Sequence, residues 1–423
     1  MEKTNDEQLR SRKLKKPPYV IYNFLGRVWQ MLFTKKYGMK VEYKADPRKE
    51  KRNYLLISNH QSRFDYIFTA VPLLPKTHNF VVGYNEFYRS HLKGIFSLMK
   101  TIPKRNFYPD GYTIKEIMRL SKAGGNIMLY PEGMNSIRGC SQPVTVATGK
   151  LIKHLGIPVY YSVIKGAYLT CPKHRNDERH GTVEVMFDKL FEPEDYKDLS
   201  VEEIDAIINE KLWQDDFAWN KERGYHYDMH GKAAEDLEDL LFICPKCGSQ
   251  FTMHGEGNII KCSHCGNGAE IDDTYTFHPL DENCVIPDTQ TDWTKMQRDT
   301  IRKEVEDESF SFSETVKLGV LPEHGVLKNQ ATSIIVGEGK LTIDRTGLSY
   351  EGTRDGKEYS FHVQSKNLPT YGMCTDMSRF YTFVGGEFHE FYPASRCVEK
   401  FFLATEEIHR LNGGSWQDAY KDK

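Results

Sequence analysis

The most constraining feature of the chain is a short apolar run that ends on a histidine, within residues 54–65. Residues 55–57 are all apolar and have the length of a buried strand, and polar residues follow at once. His60 therefore stands at the carboxyl end of a buried strand, where open α/β sheets place their chemistry. Asp65 is close enough in sequence to accept the Nδ1 proton of His60 after one helical turn, which would leave Nε2 as a base. This segment predicts an α/β fold with a histidine base at the edge of the sheet.

The residues around this segment alternate between strand and helix patterns. Strand-like runs lie at 40–43, 79–83, 126–130, 157–164 and 183–187, and helical patterns lie at 110–121 and 144–155. Alternation of this kind predicts an α/β domain with a mostly parallel sheet covered by helices.

Length and charge limit the possible classes of protein. A chain of 423 residues is expected to form two or three domains. The formal charge of -2 argues against a general polyanion binder, so no nucleic acid partner is expected, although residues 1–50 hold 13 Lys and Arg against 6 Asp and Glu. No secretory signal and no uncharged apolar run long enough to span a bilayer is visible, so we expect a cytoplasmic protein.

The segment 19–33 is apolar on nearly all sides and is flanked by lysines. Pro18 is well placed to begin a helix there. One interpretation is a helix packed on the domain. The other is a helix lying in the membrane interface, with Trp29 and tyrosines at headgroup depth and lysines near anionic lipid on the cytosolic face.

Four short motifs occur in order within residues 20–220. They are Asn-His-Gln-Ser-Arg-Phe-Asp at 59–65, Ile-Pro-Lys-Arg at 102–105, Tyr-Pro-Glu-Gly-Met-Asn-Ser at 130–136 and Ile-Pro-Val at 157–159. Together they resemble the four blocks of the glycerolipid acyltransferases of the lysophosphatidate (1-acylglycerol-3-phosphate) acyltransferase type.

The resemblance implies transfer of an acyl group from acyl-CoA or acyl-carrier protein to the hydroxyl of a lysophospholipid, most simply 1-acylglycerol-3-phosphate. His60 would be the general base and Asp65 its orienting partner, with backbone N–H groups after His60 as candidate donors to the oxyanion. The substrate-binding residues that the resemblance implies are Asn59, Ser62, Lys104, Arg105, Glu132, Gly133, Ser136 and Arg138.

The third block departs from the common pattern. Many relatives carry an arginine where this chain has Asn135, and Arg138 stands three positions further along. A neutral amide does not replace a bidentate guanidinium, so the acceptor is the least determined part of the assignment. A non-phosphorylated acceptor and a catalytically silent membrane-binding adaptor are the alternatives.

A second kind of site lies in the middle of the chain. Cys244, Cys247, Cys262 and Cys265 form two Cys-x-x-Cys pairs, each followed by a glycine, in the pattern of a four-cysteine zinc ribbon. Four thiolates would close the coordination shell, so the predicted zinc is structural.

The last hundred residues show short strands separated by turn signals and a final amphipathic helix at 395–411. This pattern resembles a pleckstrin-homology or related lipid-binding barrel, and an unrelated small β domain is the alternative. The predicted organisation is a mobile basic N-terminus (1–18), an acyltransferase domain with an interfacial helix (19–224), a connector (225–241), a zinc ribbon (242–270), a linker (271–310) and a β-barrel-like domain with a C-terminal helix (311–423).

Overall fold

The computed structural model describes residues 2–144, 148–328, 332–373 and 376–414. Its helices are α1 (Asn5–Arg10), α2 (Tyr19–Lys36), α3 (Asp65–Ala70), α4 (Ser90–Leu98), α5 (Gly111–Lys122), α6 (Thr148–Leu155), α7 (Ala167–Thr170), α8 (Pro193–Tyr196), α9 (Val201–Leu212), α10 (Asp216–Arg223), α11 (Gln290–Glu306) and α12 (Val398–Leu411).

The strands form three sheets. They are β1 (Lys40–Tyr43), β2 (Leu55–Ser58), β3 (His78–Gly83), β4 (Ile102–Lys104), β5 (Asn126–Leu129), β6 (Val159–Lys165), β7 (Glu184–Phe191), β8 (Met253–Glu256), β9 (Ile259–Cys262), β10 (Gly268–Ile271), β11 (Phe277–Pro279), β12 (Ser311–Val320), β13 (Ile334–Asp344), β14 (Gly347–Arg354), β15 (Lys357–Gln364), β16 (Phe380–Val384) and β17 (Glu387–Pro393).

The first sheet has seven strands in the order β1-β7-β6-β2-β5-β3-β4, and only the β6–β7 pair is antiparallel. The strand β2 lies at its centre with every residue buried, as its apolar sequence predicts. The predicted α/β class of this region is confirmed. Because β2, β3, β4, β5 and β6 run in the same direction, the loops that follow them meet at one edge of the sheet.

Local signals in the sequence explain several helix boundaries. The side chain of Asp110 caps α5 by accepting from the backbone N–H of Thr113, and Ser200 and Glu203 form a capping box at the start of α9. The apolar segment at 19–33 is helical and extends to Lys36 as α2. Gly26 lets this helix approach the domain, because a Cβ there would lie 2.8 Å from a methyl group of Leu74.

The second and third sheets are antiparallel. Strands β8 to β11 form a four-stranded sheet around the cysteine pairs, and the third sheet has the order β15-β14-β13-β12-β17-β16. The predicted barrel is thus a six-stranded sheet with β15 and β16 as its edges, and the C-terminal helix α12 packs in the same core.

The C-terminal half differs from the sequence prediction in one respect. The segment 271–310 was predicted as a linker, but it contains the 17-residue helix α11, in which Trp293 is fully buried. The periodicity of α11 is hidden because its buried face also carries Gln297 and Arg298, which bond to the surrounding protein. One apolar core contains parts of the third acyltransferase block, the zinc ribbon, α11 and the C-terminal sheet.

The N-terminal segment is also part of the fold. The basic residues 1–18 were predicted to be mobile, and the structure describes α1 there, bonded to the C-terminal domain through Asn5, whose backbone N–H donates to the carbonyl of Glu323 at 2.9 Å. Within the described ranges, none of the helices combines the length and hydropathy required to cross a bilayer.

Candidate active site

The candidate site is built at the carboxyl edge of the parallel strands. The strand β2 ends at Ser58, and the next turn presents His60, while the turn after β5 presents residues 130–136. The two turns are joined directly, because the backbone N–H of Ser136 donates to the carbonyl of His60 at 2.7 Å.

His60 and Asp65 form the pair that the sequence predicts. The Nδ1 atom of His60 lies 2.8 Å from Oδ2 of Asp65, which is fully buried at the start of α3. Burial raises the pKa of Asp65 above its ordinary value, and the N–H donors around its carboxylate oppose that rise. With the carboxylate on Nδ1, the imidazole has Nε2 available as a base toward the open side.

The backbone of the turn after His60 binds the carboxylate of Asp65. The backbone N–H groups of Gln61 and Ser62 donate to Oδ2 of Asp65, at 2.6 and 2.9 Å. The N–H groups of Gln61 and Ser62 are thus engaged with Asp65. The N–H of Arg63 belongs to the same turn, and Arg63 lines the cavity.

An aromatic ring fixes the plane of the imidazole. The ring of Tyr130 stacks on His60 with a centroid separation of 4.3 Å and an interplanar angle of 24°. The hydroxyl of Tyr130 is itself hydrogen-bonded to Thr69 at 2.9 Å. His60 is thus held at Nδ1 and on one face, which limits its rotation.

Glu132 supports the histidine turn. Its Oε1 accepts from the backbone N–H of His60 and its Oε2 accepts from that of Gln142, both at 2.9 Å. Burial raises the pKa of Glu132 to about 8, although these N–H donors oppose the rise. Glu132 was predicted to bind substrate, and the structure instead gives it a positioning contact.

Four further residues of the blocks are also structural supports. The amide of Asn59 bonds to both backbone groups of Ile164, and the hydroxyl of Ser136 bonds within its own turn, to the carbonyl of Cys140 and the N–H of Gly139. Asn59, Ser62 and Ser136 are fully buried. Gly133 adopts a φ of +85°, which turns the chain beneath the cavity and favours glycine.

A cavity of about 730 Å³ opens in front of His60. One part of its wall is apolar and comes from α2, the region after α3, β3 and α4, including Tyr22, Trp29, Leu74, Phe80, Ile95 and Phe96. Another part is polar and includes Arg89, Lys104, Asn135 and Lys173. Met373 and Tyr381 of the C-terminal domain complete the wall.

The second block contributes one cation to this cavity. Lys104 lines it, and burial lowers the pKa of Lys104 to about 8. The next side chain along an extended backbone points the opposite way. Arg105 accordingly lies over the rings of Tyr84 and Phe383 and reaches Asp6 of α1 at 3.5 Å. The structure thus places Arg105 outside the residues that line the cavity.

Arg138 is likewise directed away from the cavity. Its guanidinium is buried against α12, where Nε lies 2.6 Å from Glu399 and Nη1 lies 3.5 Å from Glu406. Arg138 is not among the residues that line the cavity. It joins the segment after the third block to the C-terminal domain.

Sequence reasoning missed Arg89 and Lys173. Both are buried cations that line the cavity, after β3 and after β6 respectively. No motif marks them, but each follows a strand whose carboxyl end lies at the active-site edge, and that position was the available signal.

The four cysteines meet as the sequence predicts. Their sulfur atoms lie within 4.8 Å of one another, with Cys244 and Cys265 at 3.6 Å and Cys247 and Cys262 at 3.9 Å. Sulfurs at the corners of a tetrahedron with Zn–S bonds of about 2.3 Å are about 3.8 Å apart, so the donor set fits zinc. His264 bonds to Ser249 at 3.1 Å.

Part of the chain is similar to known proteins. Residues 40–165 match a family model described as Acyltransferase. A solved structure, the 1-acyl-sn-glycerophosphate (LPA) acyltransferase PlsC from Thermotoga maritima, is 19% identical over 46% of this chain and 76% of its own, with a TM-score of 0.39. No curated protein matches the chain. The region that holds His60, Asp65 and the third block is thus similar to acyltransferase domains.

Proposed function

We propose that this protein is an O-acyltransferase that moves a fatty acyl group from a thioester donor to the hydroxyl of a lysophospholipid, with 1-acylglycerol-3-phosphate as the first candidate. The observation that carries the proposal is the buried Asp65 carboxylate on Nδ1 of His60, with the imidazole facing a cavity that has both an apolar and a cationic wall. The family match over residues 40–165 supports the same chemistry.

In this mechanism His60 takes the proton of the acceptor hydroxyl as its oxygen attacks the thioester carbonyl. Asp65 stabilises the imidazolium that forms, since its charge lies 2.8 Å from Nδ1. The tetrahedral intermediate then collapses, the thiolate leaves, and the proton on His60 passes to the leaving sulfur. No covalent acyl-enzyme is needed, because the acceptor oxygen attacks directly.

The apolar wall suits the acyl chains. Its aromatic and aliphatic residues come from α2 and α4, and burying each methylene of a chain there contributes about 0.8 kcal/mol. Acyl-CoA and acyl-carrier protein are both candidate donors.

The exposed side of α2 suits a lipid surface. Large apolar side chains on this helix face solvent, while Tyr22 and Gly26 face the domain, and Lys35 and Lys36 lie in its last turn. The exposed ones are Tyr19, Val20, Ile21, Phe24, Met31 and Leu32. We infer that α2 lies in the interface of an anionic cytosolic membrane leaflet, which would present the lysophospholipid to the cavity.

The zinc ribbon and the C-terminal domain have structural roles in this proposal. Zinc held by the four cysteines would stabilise the small β8–β11 sheet, which shares its core with the third block. A pleckstrin-homology-like lipid contact by the C-terminal sheet remains a proposal.

The test is acyl transfer by purified protein with a panel of thioesters and acceptors, comparing the wild type with His60→Ala. We expect release of the free thiol and acylated product from the wild type and a loss of about 10³-fold or more in the variant. Full activity of His60→Ala would overturn the mechanism. Vesicle binding without turnover of any acceptor would favour a silent adaptor, and turnover of monoacylglycerol alone would favour a non-phosphorylated acceptor.

A further inference from the structure

The cavity contains cations that the four blocks do not supply. Arg105 of the second block lies against Asp6, and Arg138, two positions after the third block, lies against Glu399. Arg63 of the first block lines the cavity and donates to Asn176. Arg89 and Lys173 line the polar corner of the same cavity, as does Lys104 of the second block.

Lys173 lies beside Asn135, the residue at which the third block departs from the common pattern. Its Nζ donates to Oδ1 of Asn135 at 3.0 Å, and it lies 3.5 Å from the carbonyl of Met373. Asn135 stands where the sequence comparison expects an arginine. The positive charge of Lys173, which lies in the loop after β6, is therefore next to Asn135.

Arg89 faces the same corner from the loop after β3. It is 6% exposed, and its Nε and Nη2 atoms have no hydrogen-bond partner among the described residues. Glu86 is its neighbouring acid, at 3.4 Å from Nε. A buried guanidinium with unused donors at a cavity wall is a costly arrangement unless a ligand accepts from it.

The charge of this corner is positive. Burial raises the pKa of Glu86, and the charges of both Arg89 and Lys173 act on its carboxyl, which places the two cations near each other. The acids that the C-terminal domain brings nearby, Asp376 and Glu390, face Arg379 at 3.3 and 3.6 Å. Among the described residues that line the cavity, the Lys and Arg side chains are Arg63, Arg89, Lys104 and Lys173, and the one carboxyl is that of Glu86. The charge of Lys173 also acts on Asp376, outside this lining.

We propose that Arg89 and Lys173, assisted by Lys104, form the subsite for the phosphate monoester of the acceptor lipid, in place of Arg105 and Arg138. A phosphate monoester carries close to two negative charges and three acceptor oxygens, which matches a guanidinium fork and two ammonium groups. The corner is enclosed, with Lys173 only 4% exposed. A small terminal phosphate fits such a corner better than the nucleotide of CoA.

This inference rests on the proposed function, so the test separates the two. Its variants are Lys173→Met and Arg89→Met, with Lys93→Met as the matched control, since Lys93 is exposed on α4. Kinetics are measured with lysophosphatidate and with monoacylglycerol, and circular dichroism checks that each variant is folded. In the wild type and in each variant, glycerol 3-phosphate and glycerol are titrated by calorimetry, which requires no turnover.

We expect wild-type protein to bind glycerol 3-phosphate at least about tenfold more tightly than glycerol, since a charged hydrogen bond is worth that factor or more. Either folded variant should raise KM for lysophosphatidate about tenfold or more with a smaller change in kcat, while Lys93→Met does not.

Three results would overturn the subsite. They are equal binding of glycerol and glycerol 3-phosphate, an unchanged KM for lysophosphatidate in a folded variant, and a rise in KM confined to the thioester, which would assign the cations to the donor. If no acceptor is turned over but glycerol 3-phosphate binds and a folded variant loses that binding, the proposed reaction fails and the subsite stands.

Discussion

Asp65→Asn isolates the charge of the orienting residue from its hydrogen bonds. In the structure all three N–H donors converge on Oδ2 of Asp65, and Oδ1 has no hydrogen-bond partner among the described residues. An asparagine can therefore place its carbonyl oxygen at the Oδ2 position and keep the three contacts with His60, Gln61 and Ser62. Only the negative charge is removed.

The expected loss of activity in Asp65→Asn follows from the distance between Nδ1 of His60 and Oδ2 of Asp65. A full charge on the imidazolium, 2.8 Å from the carboxylate, is stabilised by about 6 kcal/mol at an effective dielectric constant of about 20. A transition state in which half of that charge has developed loses about 3 kcal/mol in the variant, and a full charge loses about 6 kcal/mol. We therefore expect kcat/KM to fall by a factor between about 10² and 10⁴.

The assay is thiol release from acyl-CoA in the presence of lysophosphatidate, with thermal unfolding followed in parallel. The new buried NH₂ group is expected to cost about 1–3 kcal/mol of stability, offset in part by removal of a buried charge. Asp198→Asn is the control, since the side chain of Asp198 is 88% exposed, and it should leave both readouts unchanged. A folded Asp65→Asn variant within tenfold of wild-type activity would refute the charge argument.

Three further predictions concern the supports of the site. Glu132→Gln replaces a carboxyl that is neutral in the fold with a neutral amide, and each sets one donor group against one of the two backbone N–H groups, so we expect little change in urea unfolding at about pH 5. Burial raises the pKa of Glu132 to about 8, while an unfolded Glu titrates near 4.3. The stability that neutral Glu132 contributes to the fold is therefore full below about pH 4.3 and is lost as the pH rises toward 8. The Glu132→Gln variant should lack this dependence of stability on pH. Cys247→Ser should lose zinc by metal analysis and unfold at lower temperature, whereas Cys284→Ser, outside the cluster, should retain it. Arg138→Met leaves Glu399 buried without its 2.6 Å partner and should cost about 3–5 kcal/mol in urea unfolding, a loss that Arg138→Met/Glu399→Met should largely recover.

Each grouped prediction has a result that would contradict it. A Glu132→Gln protein with the wild-type dependence of stability on pH would show that this carboxyl is ionised in the fold. Full zinc content in Cys247→Ser would exclude it as a ligand. An equal loss of stability in the single and double Arg138 variants would mean that packing, and not the unpaired charge, sets the cost.

The sequence determined the parts of this protein that depend on local chemistry. An apolar run followed by a polar turn predicted β2 and the place of His60, and the spacing of Asp65 allowed the Nδ1 contact, because both residues lie within one turn of chain. The cysteine spacing predicted the four-sulfur cluster for the same reason. The helical pattern at 110–121 predicted α5.

Tertiary structure decided which charged residues reach the cavity. Arg105 lies in the second block and Arg138 just after the third, yet the fold places them against Asp6 of α1 and Glu399 of α12. Arg89 and Lys173 have no motif, but parallel strands gather their loops at one edge, beside His60. Sequence periodicity cannot show such placement, because the direction of a side chain relative to a distant element depends on how the whole sheet and the C-terminal domain pack together.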